Sequence, residues 1–137
     1  MYENYPIVLA TAAFIKDPTG RFLIVKKSPH ESIDAGLWTV PGGKVHPSEP
    51  IIASLLREVR EEVGLTIDTY KWIGEDVFID RDRYFHAQHF ICSAIAVEPV
   101  ILEKSLTEYE WIAKDEITSY HFPINIKNRL LEVFTSK

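Results

Sequence analysis

Ile7 to Ile15 is a nine-residue, largely apolar stretch rich in β-branched residues, and it reads as a strand. Asp17-Pro18-Thr19-Gly20 has the composition of a turn, and Arg21 to Lys27 reads as a second strand. These two strands are therefore expected to pair as a hairpin. Ser28 to Gly36 mixes Pro, His, Ser, Asp and Gly and reads as a loop. Leu37 to Val40 is a short strand leading into a Pro41-Gly42-Gly43 turn, where backbone can approach a ligand closely. From Pro50 the apolar period becomes helical: Ile52, Leu55, Leu56, Val59 and Val63 form the stripe of a helix lying on a core. Pro50 suits the first turn, Glu49 complements the positive helix end and Gly64 suits a C-terminal cap.

Beyond the helix, Tyr70 to Asp80 and Arg83 to Val97 read as strands joined by the polar turn Asp80-Arg81-Asp82. Glu108 to Ile112, centred on Trp111, is a further short strand. Asp115-Glu116-Ile117 begins a brief turn or helix, and Asn125 to Phe134 is an amphipathic closing helix with Ile126, Leu130, Leu131 and Phe134 apolar. No repeat, low-complexity segment or linker interrupts this order. It predicts an α/β fold with a mixed sheet and helices on both faces, as one domain over residues 1–137.

Composition narrows the class. An apolar fraction of 46% with 12% aromatics is ample for a packed core. The net charge of −5 gives no basic footprint, which disfavours nucleic-acid polymers and anionic membranes as partners. Cys92 is the single cysteine, so an intramolecular disulfide is excluded, a reducing compartment fits, and the residue reads as a small apolar side chain within a strand. Met1 to Pro6 lacks the basic start of a signal peptide, and Ile7 to Ile15 is far shorter than the ~20 residues of a membrane helix. A cytoplasmic location is expected.

The chemistry concentrates in the predicted helix. Arg57-Glu58-Val59-Arg60-Glu61-Glu62 places three carboxylates within five positions. At about 100° per residue, Glu58, Glu61 and Glu62 share one face, roughly 120° from the apolar stripe. Like charges at this spacing repel, and hard oxygen donors suit Mg²⁺ or Mn²⁺ as the cation that offsets the repulsion. An acidic protein that handles phosphates needs such a bridge.

The cluster also lies inside a longer pattern. Gly43, Glu49, Arg57-Glu58, apolar Val59, Glu61-Glu62, Gly64 and apolar Leu65 fill every fixed position of the 23-residue Nudix box at residues 43–65. Leu37 to Gly42 is similar to the family's usual approach to it. The chain thus resembles the Nudix hydrolases, whose α/β/α sandwich agrees with the predicted element order. The resemblance implies Mg²⁺, with Mn²⁺ as substitute, held by Glu58, Glu61 and Glu62 together with the backbone carbonyl of Gly42. It implies cleavage of a pyrophosphate bond in a nucleoside diphosphate derivative. For the general base it points first to Glu58, with Glu103 and Glu108 as alternatives; Ser105 stands where some relatives carry an acid. Arg57 is expected to orient the glutamates through its fork of donors, and Glu49 to brace the loop or ligate indirectly.

Other positions carry weaker expectations. Gly43, Lys44, Asn125 and Tyr84 are candidate substrate contacts, and Lys27 has the length to reach phosphate. Asn125 is either a base-reading side chain, as at the start of the last helix in some nucleotide-cleaving relatives, or an N-cap. His86 and His89 fall on opposite faces of one strand and read as structural or surface residues. Trp38 reads as core. The compact length and the tail from Tyr84 to Leu131 are most similar to the small nucleoside triphosphate pyrophosphatases, implying (d)NTP plus water giving monophosphate and pyrophosphate. NDP-sugar, dinucleoside polyphosphate and coenzyme A hydrolases are the alternatives, and a non-catalytic nucleotide-binding module is the alternative of another class. A homodimer is a further possibility that the family resemblance raises.

Overall fold

Alternation within two strands sets the layering. The computed structural model describes residues 4–135, so the Met1–Glu3 part of the segment read for a signal peptide lies outside the described residues. The first strand, β1 (Ile7–Ile15), sends Ala13 and Ile15 to one side and Ala12 and Phe14 to the other, all buried. The second, β2 (Phe22–Lys27), divides Leu23 and Val25 from Phe22 and Ile24 in the same way. Strands that are apolar on both faces need cover on both faces. Helix α1 (Ile51–Val63) supplies it on one side through Leu55, Val59 and Val63. Helix α2 (Ile124–Thr135) supplies it on the other through Ile126, Leu130 and Val133.

The remaining strands are β3 (Trp38–Thr39), β4 (Gly42–Lys44), β5 (Ile67–Asp80), β6 (Arg83–Ala94) and β7 (Leu106–Ile112). The strand layer is split into a four-stranded sheet in the order β4-β1-β6-β5 and a three-stranded sheet in the order β3-β2-β7. The β1–β6 pair is parallel and the other pairs are antiparallel, so the layer is mixed as expected, with helices on both of its faces.

The expected β1–β2 hairpin does not form. Asp17 does reverse the chain, its Oδ1 accepting from the Thr19 and Arg21 amides, each at 2.9 Å. Apart from a single bridge between Lys16 and Phe22, however, the strands then part into different sheets. Each is central in its own sheet, so both of its edges are taken by other strands. A local turn signal specifies reversal and leaves the choice of partner to long-range packing.

The expected Pro41-Gly42-Gly43 turn is likewise corrected: Gly42 and Gly43 lie in β4, in register with Ala12 and Thr11 of β1. A Cβ on Gly42 would run into the Thr11 carbonyl oxygen, so glycine here allows close approach of two strands. The β5–β6 hairpin forms around Arg81 and Asp82, both at positive φ. Gly64 caps α1 at φ 74°, its amide donating to the Arg60 carbonyl. Because α2 begins at Ile124, Asn125 sits inside the first turn rather than at the N-cap. The brief turn after β7 is a 3-10 helix over Lys114–Ser119.

Trp38 is buried against Tyr120, with ring centroids 4.9 Å apart, as a core residue should be. Cys92 is buried and its thiol pKa is pushed up to about 12 by that burial, which leaves it unreactive. Among the described residues no helix is long and apolar enough to cross a membrane. Leu55 is fully buried at the centre of the α1 interface. Leu55→Ala is expected to destabilise the protein by about 2–5 kcal/mol in urea unfolding; a loss under ~1 kcal/mol would show that α1 is not held through this contact.

Candidate active site

Arg57 joins the helix to the strand beside it. Its Nε donates to Glu49 Oε2 at 2.7 Å and its Nη2 to Glu49 Oε1 at 2.9 Å, a two-pronged grip on the segment entering the helix. Nη1 reaches Glu58 Oε1 and Glu61 Oε1, both at 2.8 Å, and Nη2 also donates to the Lys44 carbonyl of β4 at 3.2 Å. The Arg57 fork and the His46 amide hold the Glu49 carboxyl pKa down to about 2. Glu49 thus clamps Arg57 rather than serving mainly as complement to the helix end.

The second contact between α1 and β4 runs through Glu62. Ala13 N–H donates to the Pro41 carbonyl and Val45 N–H to the Leu9 carbonyl. By antiparallel alternation, Gly42 between them turns both its N–H and its C=O away from β1. That N–H donates to Glu62 Oε1 at 2.8 Å. Burial pushes the Glu62 pKa up to about 8, and the nearby Glu58 and Glu103 carboxylates push it the same way against the Gly42 amide and Lys27. Glu58 is raised as well, first by burial, with Arg57 opposing.

A proton-holding carboxyl flanked by two further carboxylates is a place short of positive charge. Its hard oxygen donors match a divalent cation such as Mg²⁺ or Mn²⁺. Gly43 keeps the space in front of Glu58 clear: a Cβ there would stand 2.5 Å from Glu58 Oε2. Among the described residues no three His, Cys, Asp or Glu groups stand converged as a finished cage. Glu62 faces the Gly42 amide and Glu58 faces Arg57, so cation binding would exchange these protein donors for the ion. Glu58, Glu62 and the Gly42 carbonyl, which points away from β1, are the groups that could hold it.

Glu58, Glu62 and Glu103 open onto one cleft of about 410 Å³, together with Gly42, Gly43, Lys27, Lys44, Ser105 and Asn125. Ser105 Oγ donates to Glu103 Oε1 at 2.5 Å. Glu61 is half-exposed beside Arg57 and does not line the cleft. Glu108 lies on β7, paired with Lys26 at 3.4 Å and also off the cleft. Tyr84 sits against Tyr5 at 6.0 Å between ring centroids, outside the cleft, so the expected substrate contact there is not supported.

The far end of the cleft has a different character. Phe78 and Phe85 are cross-strand partners on β5 and β6, stacked 5.0 Å apart with planes 1° from parallel. Asn125 Nδ2 donates to Asp76 Oδ2, tying α2 to β5. His89 is also part of this wall, with Ala10, Ala12 and Ala87. His86 faces the other side and pairs with Glu75 at 3.5 Å, as alternation requires. Sequence reasoning did not assign Phe78, Phe85 or Asp76 to the site, because their meeting depends on hairpin register. The one available signal was two aromatics placed symmetrically about the Asp80-Arg81-Asp82 turn.

Known proteins share this arrangement of chain. The NUDIX domain family matches residues 6–132. The CTP pyrophosphohydrolase of Escherichia coli (strain K12) is 34% identical over 84 residues, which span 60% of this chain and 62% of that protein. Nucleoside triphosphatase NudI of the same strain is 25% identical over 120 residues, covering 80% of this chain and 84% of its own length. Among solved structures, the MutT protein from Methanosarcina mazei Go1 superimposes with a TM-score of 0.82 at 27% identity, over 96% of this chain and 94% of that one. With the family match running through nearly the whole fold and the complete box folded around Arg57 and Glu62, the chain belongs to the Nudix hydrolase family.

Proposed function

We propose that this protein is a Mg²⁺-dependent nucleoside triphosphate pyrophosphohydrolase, converting an NTP or dNTP and water to the monophosphate and pyrophosphate. The observation that carries this reading is the joint character of one cleft: three carboxylates at one end, and stacked aromatics beside an Asn–Asp pair at the other. The first set suits a metal-bridged polyphosphate and the second a flat, hydrogen-bonding base. The names of the relatives, a CTP pyrophosphohydrolase and a nucleoside triphosphatase, agree with it.

When bound, the cation supplies charge neutralisation and Lewis acidity at the phosphate oxygens. Glu58, Glu62 and the Gly42 carbonyl would hold it, and Arg57 keeps Glu58 aimed while Glu49 keeps Arg57 aimed. Glu61 acts through Arg57. Lys27 and Lys44 line the same cleft and counter the negative charge of the polyphosphate. Water adds to phosphorus at the α–β anhydride, the bridging P–O bond breaks, and the water's proton passes to a carboxylate. We assign that base to Glu103 ahead of Glu58. A carboxylate that ligates a cation and accepts from Arg57 has little basicity left, whereas Glu103, beside Glu62 in the same cleft, accepts from no side-chain donor but Ser105 among the described residues.

The reading is tested by kcat/KM across (d)NTPs, NDP-sugars, ADP-ribose and dinucleoside polyphosphates with Mg²⁺. Triphosphates are expected to lead, with pyrophosphate released; preference for a sugar diphosphate or dinucleotide overturns the substrate, and turnover of none overturns the enzyme. Metal binding should also be linked to protons. With the Glu62 pKa raised to about 8, the metal-free carboxyl holds its proton at pH 7 and must release it to bind. Mg²⁺ affinity is expected to rise about tenfold per pH unit up to pH ~8 and then level. Calorimetry in buffers of different ionisation enthalpy should find nearly one proton released at pH 7. Glu62→Gln should abolish both this release and turnover, and a pH-independent affinity would remove Glu62 from the ligand set.

The base assignment separates two variants. Glu103→Gln is expected to lower kcat by about 10²–10⁴ with Mg²⁺ affinity changed far less than kcat, and Glu58→Gln to weaken Mg²⁺ binding itself. The reverse pattern would return the base to Glu58.

A further inference from the structure

We propose that His89 is a specificity-determining residue of the cleft, donating from Nε2 to a keto oxygen of the substrate base and so favouring keto-bearing nucleotides over adenine nucleotides. The inference rests on the nucleotide reading above and adds the class of base.

The argument begins with an arginine. Arg129 of α2 donates from Nε to His89 Nδ1 at 3.1 Å. A guanidinium offers donors only, so Nδ1 must be the acceptor. Burial first, and then the Arg129 charge, hold the imidazole pKa down to about 4, so the ring is neutral at physiological pH. A neutral imidazole with an accepting Nδ1 carries its proton on Nε2. The tautomer is therefore set by contact.

That Nε2–H finds no partner among the described residues, although His89 is only 1% exposed. A buried donor without an acceptor costs stability and calls for an explanation. Its position supplies one. His89 lines the cleft at the end that holds Phe78, Phe85 and Asn125. Its cross-strand partner on β1 is Ala12, and Ala87 precedes it on the same face of β6, so the side chains that share the cleft wall with the ring are small. Phe14 backs it, with ring centroids 5.2 Å apart.

Arg129 is itself held in place. It donates to the Ile73 carbonyl at 3.3 Å and to Glu132 at 2.7 Å. The chain makes room for it at Gly74, where a Cβ would collide with the guanidinium. Several groups thus cooperate to keep one imidazole nitrogen accepting from Arg129 and the other donating toward the cleft.

A single fixed donor discriminates by what it leaves unpaired. Cytosine, uracil, thymine and guanine each carry a keto oxygen, and adenine carries none. An adenine seated in the same place would set its 6-amino donor against the His89 donor where a keto base sets an acceptor, and a buried polar group left unmatched is what makes such sites selective. Asn125, tied to Asp76 through Nδ2, retains its amide oxygen and one N–H for the remaining edge of the base.

Two measurements test the proposal. In the first, kcat/KM is compared for CTP, UTP, GTP and ATP in wild type, His89→Phe and His89→Gln. Phe keeps the ring and loses the donor; Gln can accept from Arg129 and still donate to the base. The preference of the best keto-bearing triphosphate over ATP is expected to fall about tenfold in His89→Phe and to recover in His89→Gln. An unchanged preference in an active His89→Phe overturns the proposal. In the second, wild-type protein without metal is titrated with CMP, UMP, GMP and AMP while the His89 Nε2–H resonance is followed by NMR. A downfield shift with a keto-bearing monophosphate and not with AMP is expected. An equal shift with AMP, or none with any of the four, overturns it, including when the variants fail to fold. If no triphosphate turns over, the hydrolase reading fails by itself, and the titration still decides the role of His89.

Discussion

One guanidinium fixes the geometry on which the rest of the site depends. Arg57 points from α1 toward β4 and donates its hydrogen bonds to three carboxylates and a backbone carbonyl. Three glutamates along one helix face would repel and splay in its absence. With it, Glu58 and Glu61 are drawn to one side, while Glu62, one turn beyond Glu58, is left to the Gly42 amide. The positive charge is thereby spent on orientation. The buried end of the cluster, where Glu62 keeps its proton, remains open to a second cation from outside.

The cleft divides its work between distant parts of the chain. Its carboxylate end comes largely from β4 and α1, which are nearly adjacent in sequence, so a local pattern can encode it. Its aromatic end comes from the β5–β6 hairpin and from α2, which meet only in the folded protein.

That division also explains what could be read in the sequence. Helix α1, its αL cap at Gly64 and the cluster of Glu58, Glu61 and Glu62 follow from spacing along a single element, and they were legible. So was the placing of helices on both faces of the strands, since β1 and β2 are apolar at successive positions. The β1–β2 hairpin was misread because the Asp17 turn encodes reversal only. The role of Gly42 and Gly43 as a strand was hidden because the same lack of Cβ serves turns and close strand contacts equally. His89 was set on the face opposite His86, as it is in the fold, yet nothing in its neighbours along the chain announces Arg129, 40 residues away. Asn125 was singled out, but its partner Asp76 lies 49 residues earlier and emerges only from packing.

The contact between Glu62 and the Gly42 amide has one more consequence. The short strand β4 is an edge of its sheet, and Gly42 turns its backbone groups away from β1, its N–H donating to Glu62. Such an edge invites a strand from another molecule, and glycines with no side chain offer it little obstruction. A buried carboxyl seated on that amide plugs the edge. Glu62 therefore ties α1 to β4 and at the same time occupies the outward amide of an edge strand.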